Sequence, residues 1–302
     1  MIGPLPQEVK IFEVGPRDGL QNEATFVSTE DKVRLIEALA TTGLKNIEIT
    51  SFVSPKWIPQ LADGPEVAKK VNLPGNITTT ALVPNLKGYE SAKQAGMKHI
   101  AVFMSATESH SRKNINKSID EAVAALKEVI DAARKDQVSV RAYMSVVFAC
   151  PYEGSVDRNQ VAKVVSQLIA LGIDELSLGD TIGAATPGQV APLIQLISKE
   201  FPLNKIALHF HDTRGIALAN VLAGLDCGVA IFDSSIGGMG GCPYAPGAAG
   251  NLATEDLVYM LNGLDIKCGI DLEKLVAAGE LAQSIVKRKL PGRYLQAALA
   301  SK

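Results

Sequence analysis

Two histidines lie two residues apart in Ala207-Leu208-His209-Phe210-His211-Asp212-Thr213, a run that reads as the end of a buried strand. Side chains alternate along a strand, so both imidazoles face one spot and Phe210 turns away. Adjacent neutral imidazoles make a divalent-metal chelate, although the tripeptide alone equally suits two satisfied histidines capping a strand. A cation in such a site also wants oxygen ligands. Asp18 is the natural anionic partner and Asn251 can add an amide oxygen; otherwise Asp18 is a turn residue before Gly19 and Asn251 a helix N-cap. Arg17, beside Asp18, is a surface cation if it sits in an ordinary loop, and in a barrel mouth a fixed positive charge for a carboxylate or a developing enolate oxygen. Glu48 and Asp180 are expected to hold Arg17 or a bound water in place. Asp212 would point away and cap the following helix. Cys242 lies in a segment with six glycines between Gly237 and Gly250, which reads as a flap carrying a thiol able to exchange a proton. Its alternative is a small apolar loop residue.

These residues must be brought together by the elements that carry them. Short β-branched runs at Val9–Val14, Asn46–Ser51, Thr78–Val83, His99–Met104, Ser139–Val147, Glu175–Gly179, Lys205–His211 and Ala230–Ser235 read as eight strands. Helical patterns fall between them at Thr29–Thr41, Pro65–Lys70, Lys87–Ala95, Ile119–Lys135, Arg158–Leu171, Pro187–Glu200 and Gly215–Cys227, and follow the last strand at Thr254–Leu261 and Asp271–Lys287. Gly43, Gly96, Gly172 and Gly228 each close a helix just before a strand, where a left-handed cap is expected. Eight β/α units in series predict a (β/α)8 TIM barrel in one domain spanning 1–302, with the flap at 237–250 and extra C-terminal helices at about 254–290. Chemistry in that fold sits at the C-terminal strand ends, and every candidate above except Cys242 and Asn251 falls at or just after one. The first and last strands adjoin on closure, which brings Asp18 toward the histidine strand.

Composition excludes several classes. The 302 residues carry 30 Lys and Arg against 32 Asp and Glu, which gives no electrostatic case for nucleic acid or an anionic membrane surface. No apolar run reaches the roughly 20 residues of a membrane span. The four cysteines lie far apart without a CxxC pair, so neither a zinc knuckle nor a disulfide framework is indicated. The start shows no targeting segment, and the expectation is a cytoplasmic protein with reduced thiols.

Three segments together resemble 3-hydroxy-3-methylglutaryl-CoA lyases: Gly15-Pro16-Arg17-Asp18-Gly19-Leu20-Gln21-Asn22-Glu23, His209-Phe210-His211-Asp212-Thr213, and Gly237 through Gly247 with its Cys242-Pro243-Tyr244-Ala245 core. The first two alone would indicate only the wider metallolyase superfamily; the cysteine loop narrows it. The resemblance runs over essentially the whole chain. It implies a barrel enzyme, commonly a homodimer, that uses Mg²⁺ or Mn²⁺ to cleave the acyl-CoA thioester to acetyl-CoA and acetoacetate. Carried over, Asp18, His209, His211 and Asn251 match the metal ligands. Arg17 matches the arginine that polarises the thioester carbonyl, Cys242 the flap thiol, Glu48 and Asp180 pocket groups, and Gln21 a residue near the cation. Three departures stand out: Ala24 where some members carry Lys, Arg214 in place of a Tyr, and a C-terminus without a cysteine tail, from which no thiol regulation of that kind is expected. Arg214 is left either to a CoA phosphate or to the start of a helix. Rival readings are a lyase for a related branched 3-hydroxyglutaryl-CoA, a Claisen-type synthase of the same superfamily, and a barrel that binds metal and CoA esters without catalysis.

Overall fold

The computed structural model describes residues 5–241 and 250–301. Eight parallel strands close a barrel: β1 Lys10–Glu13, β2 Asn46–Ser51, β3 Thr78–Leu82, β4 His99–Ser105, β5 Ser139–Ser145, β6 Glu175–Asp180, β7 Ile206–Phe210 and β8 Ile231–Ser234. Each strand pairs with its neighbours in sequence, and β1 pairs with β8 through Lys10↔Ile231 to Glu13↔Ser234. Helices intervene and cover the outside. The helices Thr254–Gly263, Leu272–Val286 and Arg293–Ala300 follow β8. No described helix is long and apolar enough to cross a membrane.

Strand alternation divides the barrel wall into two faces. Ile47 and Ile49, Val140, Ala142 and Met144, Leu176 and Leu178, and Leu208 and Phe210 join one large apolar cluster with the helices. The residues between them turn into the barrel: Glu48, Arg141, Tyr143, Ser177 and His209, joined by Asp233 of β8. A strand buried on both faces reads as a continuous apolar run, but in a barrel only the helix-facing side must be apolar. The interior accepts charge where each charge meets a partner.

The expected helix caps are present. Ser28 Oγ accepts from the Asp31 backbone N–H, and the four helix-ending glycines all have positive φ. The structure also corrects several expectations. A helix at Glu108–Ile115 was not expected, because its eight residues, with only one aliphatic side chain, show no 3.6-residue apolar period. The helix Arg293–Ala300 and a small hairpin, Ala149–Cys150 with Gly154–Ser155, are likewise additional. β5 stops at Ser145 rather than Val147, since Val146 takes φ +56 and turns the chain out of the sheet. The helix expected from Gly215 starts at Ala217.

Candidate active site

At the C-terminal mouth, Asp18, His209 and His211 each bring one ligand atom within 4.8 Å of the others. Asp18 gets there because Gly15–Gly19 forms a single π-helical turn after β1, with the Asp18 and Gly19 N–H groups both bonded to the Val14 carbonyl. His209 is the penultimate residue of β7, and His211 forms an isolated antiparallel bridge with Asn251. The two imidazole centroids lie 5.2 Å apart. Asn251 is no helix cap, since the helix begins at Thr254 with Ala253 before it. Its Nδ2 donates to Asp18 Oδ2 (2.8 Å) and to the Met239 carbonyl (3.1 Å). Gly240 makes room for that amide, because a Cβ there would lie 2.6 Å from Asn251 Nδ2.

Asn251 Oδ1 and His211 Nδ1 are buried without a hydrogen-bond partner. Unmade bonds of this kind cost about 1–3 kcal/mol each, so a function for the cluster is more economical than an accident. One carboxylate, two imidazoles and one amide oxygen suit a divalent cation. Burial, then His209, pushes the His211 imidazole down to about 4, so it is a neutral donor at physiological pH. Burial alone would raise the Asp18 carboxyl, but Arg17, then His209 and His211, hold it well below the usual range.

Arg17 is buried and fixed on two sides. Its Nε donates to Glu48 Oε2 (2.6 Å), its Nη1 donates to Asp18 Oδ1 (2.6 Å), and its guanidinium lies 5.2 Å from the Tyr143 ring centroid. Burial would lower its pKa, yet Glu48 and then Asp18 outweigh that and raise it. Arg17 is therefore a preorganised cation that cannot swing away. Of Glu48 and Asp180, expected to hold Arg17 or a bound water, Glu48 is the one bonded to Arg17. Asp180 instead accepts from the Ala184 and Ala185 N–H groups (2.9 and 3.0 Å) and shapes the loop after β6. The donors lie four and five residues on, a local solution that strand position alone does not reveal.

Sequence reasoning missed the groups behind these. His209 Nδ1 bonds Asp233 Oδ2 (3.2 Å), which also accepts from Ser177 Oγ (2.7 Å), while Asp233 Oδ1 accepts from Arg141 Nη2 (2.6 Å). Burial would raise the Asp233 carboxyl, but Arg141 and then His209 bring it down to about 2. An ionised Asp233 accepts the Nδ1 proton and leaves His209 Nε2 as the free lone pair. The available signal was a charged residue within an apolar strand run, at Arg141 and at Asp233. Glu13 was missed too: it accepts from the Gly15 and Ile236 N–H groups and from Thr254 Oγ1, tying the Arg17–Asp18 turn to the chain after β8 and to the start of the helix Thr254–Gly263.

A cavity of about 870 Å³ opens above this cluster, lined by Arg17, Asp18, Gln21, Tyr143, His209 and His211 at its floor. Gln21 shares this cavity with the cluster. Phe26 and the 73% exposed Trp57 stand at its rim, with Lys113 and Lys117 along another wall. Cys242 lies outside the described residues. Asp212 does not occupy the N-cap position, which is Ile216, but accepts from the first helical N–H, that of Ala217 (2.9 Å). Arg214 does not start the helix: its Nη1 donates to the Ile182 and Gly183 carbonyls, a brace between two loops.

The HMGL-like family model matches residues 8–282. The hydroxymethylglutaryl-CoA lyase YngG of Bacillus subtilis is 53% identical over 97% of this chain and 98% of its own. A 3-hydroxy-3-isohexenylglutaryl-CoA/hydroxy-methylglutaryl-CoA lyase of Pseudomonas aeruginosa is 49% identical over 98% of this chain and 99% of its own. Among solved structures, an HMG-CoA lyase from Acinetobacter baumannii in complex with coenzyme A and 3-methylmalate superimposes with a TM-score of 0.93 at 36% identity, covering 96% of this chain and 95% of that one.

Proposed function

The chain belongs to the HMGL-like family, and from that premise we propose how its cavity performs the family's reaction. It is a carbon–carbon lyase that cleaves 3-hydroxy-3-methylglutaryl-CoA to acetyl-CoA and acetoacetate. The observation that carries the site assignment is the convergence of Asp18, His209 and His211 beside a buried, unbonded Asn251 Oδ1 and a doubly anchored Arg17.

Asp18, His209, His211 and Asn251 would hold Mg²⁺ or Mn²⁺, which when bound supplies Lewis acidity toward the substrate's C3 hydroxyl. The C3 hydroxyl proton passes to an Asp18 oxygen or to a bound water as the C3–O bond becomes a carbonyl and the C2–C3 bond breaks, while Arg17 polarises the thioester carbonyl and stabilises the enolate oxygen. Its fixed position matters because no reorganisation is needed when the charge develops. Glu48 and Asp18 aim that guanidinium, and Gln21 orients the acyl end of the substrate. Cys242 exchanges a proton at the acetyl carbon, delivering it to C2 of the enolate. Lys113 and Lys117, cavity-lining cations, suit the phosphates of CoA. The chain acts as one catalytic domain and as a homodimer, with the reduced cysteines of a cytoplasmic enzyme; Cys150, Cys227 and Cys268 are free.

Purified protein with Mg²⁺ and 3-hydroxy-3-methylglutaryl-CoA should release acetoacetate, EDTA should stop it, and Mn²⁺ should restore it. Turnover that persists in excess chelator would refute the metal assignment. A second reading, activity on longer branched 3-hydroxyglutaryl-CoA esters, is favoured by the apolar wall of Val53, Leu82 and Phe103 in the cavity. Competition between the two esters, scored as kcat/KM, separates the readings.

A further inference from the structure

We infer that Arg141, deep in the barrel and outside the cavity lining, is the positioning residue that sets both halves of the site: the donor direction of His209 and the aim of Arg17. The inference rests on the metal-site reading above. Arg141 sits on β5 with its side chain 5% exposed and its guanidinium 4.0 Å from the Phe12 ring centroid. It faces three partners. Nη2 donates to Asp233 Oδ1 (2.6 Å), Nη1 donates to Tyr143 Oη (3.0 Å), and Nε pairs with Glu175 Oε1 (2.7 Å). Glu175 in turn pairs with Lys10 (2.5 Å) near the opposite end of the barrel.

Arginine has donors and no acceptor, so it dictates the direction of every bond in the chains it starts. Along one arm it occupies Asp233, whose other oxygen receives Ser177 Oγ and faces His209 Nδ1 at 3.2 Å. A carboxylate so held only accepts, which places the imidazole proton on Nδ1 and presents Nε2 to the cation. Along the other arm, Arg141 fills the acceptor side of the Tyr143 hydroxyl, so the phenol proton must go to Glu48 Oε2 (3.1 Å). The same Glu48 oxygen receives Arg17 Nε (2.6 Å), and the Tyr143 ring lies beneath the Arg17 guanidinium. Asp233 is fully buried, so without Arg141 its charge would be left with a hydroxyl and an imidazole alone. A planar fork can serve both arms at once, whereas a lysine ammonium has no such fixed geometry.

The test separates the arms by Mn²⁺ binding to metal-free protein, read by electron paramagnetic resonance, and by kcat at saturating Mn²⁺. Arg141→Met, which keeps the stem packing, should weaken Mn²⁺ binding by about tenfold to a hundredfold and also lower kcat. Tyr143→Phe should lower kcat while Mn²⁺ affinity stays within about threefold of wild type, since it cuts only one arm. Asp233→Asn should weaken Mn²⁺ binding as Arg141→Met does, and the double variant should lose no more than the worse single variant. Wild-type Mn²⁺ affinity in Arg141→Met, or additive losses in the double variant, would overturn the inference. So would an equal loss of Mn²⁺ affinity in Tyr143→Phe, which would mark a generally loosened barrel. If Arg141→Met does not fold, Arg141→Lys replaces it: one or both arms should weaken in a folded protein, and wild-type values for Mn²⁺ affinity and kcat together would refute the inference. Failure of wild-type protein to bind Mn²⁺ would instead overturn the metal-site reading itself.

Discussion

On β5, Val140, Ala142 and Met144 pack into the apolar layer between strands and helices, while Arg141 and Tyr143 between them point into the barrel. The same strand thus serves two environments with opposite rules. In the outer layer, contact with neighbours is nondirectional and its value scales with area removed from water. In the interior, Arg141, Asp233, Ser177, Glu48 and Tyr143 are tolerated because each is hydrogen-bonded to a specific partner. Stability should therefore reside mainly in the outer layer and catalysis in the inner one. The buried interior charges are retained for direction, since a buried ion pair is weak evidence for stability.

The strongest attempt to break this division is a cavity in the outer layer. Leu176 is fully buried on β6, and Leu176→Ala should cost about 3–5 kcal/mol in denaturant unfolding while leaving kcat of the folded fraction near wild type. A large fall in kcat would show the two faces to be coupled. Next is Arg17→Gln, which should raise the barrier by about 3–4 kcal/mol, or two to three orders of magnitude in kcat. Mn²⁺ binding should persist, and normal turnover would remove Arg17 from the mechanism.

Glu13 sharpens the comparison through pH. Burial pushes its carboxyl from the ordinary 4.5 up to about 7, against the bonds from Thr254, Ile236 and Gly15. Because the folded state holds this proton more tightly, its stabilising contribution is full below pH 4.5 and is lost as pH rises through 7. The loss should amount to about 3 kcal/mol, and Glu13→Gln should flatten that slope in urea titrations at successive pH values. An unchanged slope would assign the pH dependence elsewhere. The smallest effect belongs to neither face: Lys127 and Asp131 form an exposed pair (2.5 Å), and Lys127→Ala should leave Tm and kcat unchanged.

Legibility followed the range of the interactions. The Asp18–His209–His211 cluster was readable because a two-residue spacing on a strand and a turn after β1 are local facts that barrel closure then joins. Asp180 does not reach Arg17, which its position at a strand end left open together with a bound water, because two N–H groups four and five residues on bond its carboxylate. The helix at Glu108–Ile115 was missed because a polar helix at the barrel mouth has no apolar face to announce it. Asp233 and Arg141 are 92 residues apart and meet only across the closed barrel, so no spacing rule connects them.

The order of residues alone specified the eight β/α units, the strand ends on which chemistry would fall, and the residue types able to bind a cation and steady an enolate. Periodicity and caps are local, and eight repeats leave one closed topology. Only the tertiary structure decided which carboxylate serves which donor. Glu48 holds Arg17, Asp233 orients His209, and Asp180 shapes a loop. Those pairings depend on angles and distances of a few tenths of an ångström across the barrel, which emerge only when every strand is in register.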